Sequence, residues 1–198
     1  MTIEDVLAQA LAVDWAGFDQ PCLPRRQTTG TALRALLEAR PEDALERQWR
    51  VLDAVWHQGS SYEGATALIP LAATLVAEPD CPNRNRLLGI LTLLGGGFPE
   101  DTVKDLLTRP EKLPSTWSGP SGAAARDALN LQAGTLRLLV ADDDPPVRQM
   151  AAYALVLCPA SAAASAERLG RSLPEERHAP TLAAAWCVSA RSTFSAVA

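Results

Sequence analysis

Asp142-Asp143-Asp144-Pro145-Pro146-Val147-Arg148-Gln149-Met150-Ala151-Ala152-Tyr153-Ala154-Leu155 is the stretch whose reading decides the fold. Its three aspartates form a turn. Pro145 then stands at a first helical position, where a missing N–H costs nothing and a fixed φ already suits the helix. Asp144 is placed to cap that helix. Beyond it, Val147, Met150, Ala151, Ala154 and Leu155 recur at i, i+3, i+4, i+7 and i+8, the spacing of one apolar stripe on an α-helix. A helix so rich in small apolar side chains cannot bury that stripe by itself. It has to stack on neighbouring helices, as in a chain built from repeated helix pairs.

The rest of the chain agrees. It has 198 residues, 47% of them hydrophobic and 21% charged, enough for one substantial core or one short array. Alanine (35 residues) and leucine (29 residues) make up nearly a third of it, while Ile, Val and Thr are sparse. That balance favours helix over strand and predicts an all-α protein. A mean hydropathy near zero argues against wholesale disorder.

Apolar spacing and breakers divide the chain into elements. Residues 2–13 read as a helix with Thr2 as its cap and Glu4 and Asp5 in the first turn. Residues 19–30 form a loop, and 31–39 a second helix. Pro41 opens a third helix reaching about His57, with Leu45, Trp49, Leu52 and Trp56 as its inward set. Ser60 and Glu63 match a capping box for a helix over 62–77 that contains Pro70. Leu87, Ile90, Leu91 and Leu94 define a buried stripe over 83–95, stopped by Gly95-Gly96-Gly97. A short helix is expected at 99–108 and a Pro- and Gly-rich loop insertion near 109–122. One long helix follows over 122–141, then the helix beginning at Pro145, a shorter one over 159–173, and a last one over 180–191 containing Trp186. Helix-pair units are read at 42–77 and 83–108, and Ala151-Ala152-Tyr153-Ala154 has a loose counterpart in Ala183-Ala184-Ala185-Trp186.

Two stretches carry a resemblance to bacterial HEAT-repeat proteins of the HEAT/PBS-lyase-like type. One runs Trp56-His57-Gln58-Gly59-Ser60-Ser61-Tyr62-Glu63-Gly64-Ala65-Thr66 and on to Pro70; the other is 142–155. Val13-Asp14-Trp15-Ala16 and Leu33-Arg34-Ala35-Leu36-Leu37 also fit that group, whereas 19–30 and 109–122 depart from it. The resemblance implies a single domain over 1–198. Its expected form is a right-handed α-α superhelix, a HEAT-like α-solenoid of about four to five helix pairs used for protein interaction. It carries over no catalytic residue.

Several function classes lose support. Cys22, Cys81, Cys158 and Cys187 show no C-x-x-C spacing, and only His57 and His178 could join them, so no metal site is expected and the thiols read as buried and reduced. Gly95-Gly96-Gly97 lacks the Gly-Lys-Ser/Thr of a phosphate loop, and Gly119-Pro120-Ser121-Gly122 falls one residue short of a nucleophile elbow. No cofactor and no catalytic residue is expected. The net charge of −5 and the absence of a basic stripe disfavour nucleic acid. The N-terminus has no basic, apolar leader and the apolar tract 151–166 is broken by Pro159, so the chain reads as cytoplasmic, without a membrane span.

The residues expected to meet a partner are His57, Tyr62 and Glu63 in the densest polar cluster, Trp117 in the loop insertion, and Arg148. A structural turn is the competing reading of 57–63, and bonds between adjacent repeats that of Asp144 and Arg148. The expected function is a non-enzymatic protein-binding scaffold or regulator. Its specific form is an inhibitor or immunity-type partner of a basic protein, because an acidic chain suits a cationic target. The alternative is an enzyme on the same scaffold, such as a DNA glycosylase, which needs a basic groove, aromatic side chains and a carboxylate together.

Overall fold

A computed structural model describes residues 1–18, 28–57, 60–96 and 120–172. The described residues form helices α1 (Ile3–Ala12), α2 (Thr29–Leu37), α3 (Ala44–Val55), α4 (Gly64–Ala77), α5 (Arg84–Gly95), α6 (Pro120–Leu131), α7 (Ala133–Leu139), α8 (Pro145–Val156) and α9 (Ala162–Ser172). A two-residue antiparallel pair, β1 (Trp56–His57) with β2 (Ser60–Ser61), interrupts them. The helix expected at 99–108, most of the loop insertion including Trp117, the helix at 180–191, Cys22 and Cys187 lie outside the described residues.

Local chemistry explains the helix ends. Thr2 Oγ1 accepts from the Asp5 N–H at 3.1 Å, while Thr2 N–H donates to Asp5 Oδ2 at 2.9 Å, a reciprocal pair that satisfies two otherwise orphaned donors. Thr28 Oγ1 does the same work for α2, accepting from the Thr31 N–H. Helix α5 ends on Gly96, whose φ of 124° is a conformation that L side chains rarely adopt. Its start is less ordinary. Asn83 takes the left-handed conformation, φ 56°, which asparagine tolerates better than most residues. From there its side-chain amide donates to Leu36 O at 2.8 Å and Ala39 O at 3.1 Å, joining the end of α2 to the beginning of α5.

Helix α5 occupies the middle of the core. Leu87, Leu88, Ile90, Leu91, Leu93 and Leu94 are all buried, so the helix is apolar around its whole circumference and needs neighbours on every side. Helices α3, α4, α6 and α8 supply them. Further contacts run from α1 to α4 and from α4 to α7, and α9 closes on α7 and α8. The described helices thus pack as the pairs α1–α2, α2–α3, α4–α5 and α7–α8, with α6 lying against α4 and α5, and with α5 linking α3 to α8.

Four expectations are corrected. The strong pairings are α2 with α3 and α4 with α5, not α3 with α4, because the β1–β2 hairpin separates α3 from α4. Helix α3 begins at Ala44, with Pro41 in the preceding turn, and buries Ala44, Gln48, Val51, Leu52 and Val55; Leu45 and Trp49 face outward. The helix expected over 122–141 begins at Pro120 and breaks at Gln132. Its two halves meet different neighbours, α4 and α5 before the break and α4 and α8 after it. Asp144 occupies the cap position of α8 but makes no side-chain cap bond.

The crossing of α1 over α2 leaves no room at Gly30, where an added Cβ would lie 2.5 Å from Ala10 O. The obstacle is backbone and cannot swing aside. Gly30→Ala is therefore expected to destabilise the protein by about 1–3 kcal/mol through overpacking, although alanine is the better helix former by about 1 kcal/mol. Urea unfolding checks this, and an unchanged or raised midpoint would show that α1 is free to move away.

Candidate functional site

The structure does not bring the sequence-predicted site residues into one place. His57 pairs through its backbone with Ser60. Tyr62 follows directly, half-buried, its N–H donating to Val55 O at 2.8 Å. Glu63 is exposed and itself holds the cap position of α4, which begins at Gly64, so Ser60 does not stand at the helix start that the expected Ser60–Glu63 capping box requires. Pairing of Ser60 with His57 holds Ser60 in the hairpin rather than at the helix start. The neighbouring Ser61 is the anchor instead: its buried hydroxyl donates to Leu94 O at 3.0 Å, satisfying a carbonyl in the last turn of α5.

Arg148 belongs to the other end of α5. Ten residues of helix separate Leu94 from Arg84, about 15 Å along the axis. Arg84 Nε donates to Val76 O at 3.0 Å, at the end of α4. Its terminal nitrogens grip Asp142 in a forked pair at 3.2 and 2.6 Å. Both side chains are largely buried, 11% and 16% exposed. Asp142 Oδ1 also accepts from the Asp144 N–H, and Arg148 donates to the carbonyls of Asp142 and Asp143. Burial pushes the Asp142 carboxyl up, but the bonds from Arg84 and Asp144 and the charges of Arg84 and Arg148 outweigh it and hold the group below the usual carboxylate range. This is a clamp between helices, and its carboxylate is fully engaged.

A different set of residues faces outward. On α3, Leu45 and Trp49 are 47% and 38% exposed. The Trp49 ring stacks at 6.2 Å and a 45° tilt on Trp56, the first residue of the hairpin. The patch therefore joins α3 to the turn holding His57 and Tyr62. Of the expected inward set on α3, Leu52 is buried, whereas Leu45 and Trp49 are not; the inner face is centred on Ala44, Gln48, Val51, Leu52 and Val55.

A second surface was not anticipated. Between α7 and α9 runs a groove of about 650 Å³ lined by Arg137, Arg168 and Arg171, with Leu138 at its side. The arginines come from helices about thirty residues apart and show no basic run in sequence.

Among the described residues, no group of three His, Cys, Asp or Glu could hold a metal ion, and no helix is long and apolar enough to cross a membrane. The Cys81 and Cys158 side chains are buried. Desolvation pushes the Cys81 thiol up to about 11, against the opposing charge of Arg84, so it stays protonated and unreactive at neutral pH. No protein-family model, curated protein or solved structure matches the chain.

The clamp generates a prediction with a definite sign. A carboxyl held lower in the folded state than in the unfolded one stabilises the fold above the unfolded pKa of about 3.9, and that stability disappears as pH falls through the folded value. Asp142→Asn should remove this part of the acid dependence, seen as a shallower loss of unfolding free energy below about pH 4. Arg84→Ala leaves both Asp142 and Val76 O without their partner and should cost about 2–3 kcal/mol near neutral pH. A parallel acid profile in Asp142→Asn would show that the pair is not coupled to folding.

Proposed function

We propose that this protein is a non-enzymatic protein-binding scaffold or regulator, built as a HEAT-like α-solenoid. The observation that carries the reading is the partly exposed Trp49, packed on the half-buried Trp56, with the exposed Leu45 one helical turn before it. Tryptophan is enriched among the few residues that dominate binding energy at protein interfaces, and an exposed tryptophan supported by a second ring at a helix–hairpin junction suits that use. The contacts of α5 with α3 and α8, and of α4 with α1 and α7, by which one helix pair meets the next, support the solenoid form. The net charge of −5 supports an inhibitor or immunity-type role against a basic protein, since it speeds encounter with a cationic partner.

The enzymatic alternative requires arginines, aromatics and a free carboxylate at one place. The groove between α7 and α9 supplies arginines, but Glu167, the carboxylate lining it, is paired with Arg171, and no aromatic side chain lines it among the described residues. That separation favours the scaffold reading over a DNA glycosylase.

Affinity co-purification of the tagged protein and of Trp49→Ala, with mass spectrometry at moderate salt, tests the proposal. A single stoichiometric protein partner is expected with the wild-type chain, weakened at least about tenfold in the variant. Trp49 is partly exposed but packs on Trp56, so the variant should lose about 0.5–1.5 kcal/mol of stability and remain folded, which urea unfolding checks. A partner that the variant retains undiminished overturns the role of this surface, and a salt-dependent shift with duplex DNA instead of a protein partner revives the enzyme.

A further inference from the structure

The groove between α7 and α9 is cationic in an acidic protein. Arg137, Arg168 and Arg171 line it against one carboxylate, Glu167. Glu167 and Arg171 are one helical turn apart and neutralise each other. Two arginines remain. Arg168 spends only its Nε–H, on Arg137 O at 3.3 Å, a bond that ties α9 to α7 and holds the guanidinium stem in place. Its terminal nitrogens are left over. Among the described residues the Arg137 guanidinium has no ion-pair or hydrogen-bond partner, and the residue is half-buried. Leu138, its neighbour, is 70% exposed along the same groove, an apolar surface with nothing described against it. Gly134 and Ala164 keep the walls low.

We propose that this groove docks an acidic peptide segment of a partner protein, with carboxylates on Arg137 and Arg168 and an apolar side chain on Leu138. The guanidinium fork matches a carboxylate in two parallel bonds, and a donor already held by its stem loses little freedom on binding. About 650 Å³ is the size of a site for a few side chains rather than for a broad protein face. Leu138 beside the arginines is what favours peptide over nucleic acid: a phosphate backbone offers an exposed leucine nothing to bury, whereas a peptide can place an apolar side chain between its carboxylates. The inference goes beyond the scaffold reading, because it concerns a second surface and the opposite partner charge. The α3 tryptophans play no part in it.

The test uses the full chain and a fluorescein-labelled decapeptide of alternating Glu-Glu-Leu, with fluorescence anisotropy at low and physiological salt. Amide chemical shifts of Gly134 and Leu138 locate the contact, and the Trp49 indole signal serves as the reference for the other surface. Binding is expected to weaken at least about tenfold in Arg137→Ala, a variant that removes no bond of the folded state, and partly to return in Arg137→Lys. A poly-Glu peptide without leucine should bind more weakly, and Leu138→Ser should erase that difference. The proposal is overturned by equal affinity in Arg137→Ala, by shifts confined to Trp49, or by no peptide binding at low salt. It is also overturned if single-stranded DNA of equal charge binds more tightly, which would assign the groove to nucleic acid. Concentration-dependent dimerisation that Arg137→Ala abolishes, without peptide binding, would assign the groove to a second copy of the chain and overturn it likewise.

Discussion

From Leu87 to Gly95 helix α5 has no face that meets water, and the described core is arranged around that fact. Its leucines point in every direction from a single rod, so α3, α4, α6 and α8 must all close on it before it is stable. A helix of this kind contributes nothing until its neighbours are present, and they in turn gain their main apolar partner from it. Cooperativity among elements far apart in sequence follows directly.

Apolar packing alone leaves the depth of each helix free, and the polar groups at the two ends of α5 remove that freedom. At its start, Asn83 reaches back to the end of α2, while Arg84 holds the end of α4 and the turn before α8. At its finish, Ser61 fastens the hairpin to Leu94 O. Each of these bonds is made by a side chain to a backbone group or carboxylate that burial would otherwise leave unpaired, so sliding a helix by one turn would strand several at once. That is why largely buried charges are present in a core that leucine and alanine could otherwise fill.

The same architecture sorts the outward surfaces. Helix α3 spends its small and β-branched residues inward and carries Leu45 and Trp49 on the outside, next to the hairpin. Helices α7 and α9 converge so that arginines remote in sequence share one groove, within a chain whose net charge is negative. Surface chemistry here is local: the net charge describes long-range attraction, while the groove presents the contrary sign at contact distance.

Much of this was legible beforehand. The stripes Leu87–Leu94 and Val147–Leu155 determined two buried helices, since apolar side chains at helical spacing have only one way to leave water. Thr2, Pro145 and Gly96 determined helix ends through bonds or dihedrals that are strictly local. What a residue's own neighbours in sequence cannot say is which other element lies opposite it. The inner face of α3 followed from α2 and α5 rather than from the size of Trp49. Ser60 was drawn into a hairpin by His57 instead of capping α4. Asp142 met Arg84 fifty-eight positions away, and Arg137 met Arg168 thirty-one away. Sequence alone determined most of the described helices, because their hydrogen bonds close within four residues; only the tertiary structure decided the clamp, the exposed Trp49 and the cationic groove, because those depend on distances between helices that local bonding leaves open.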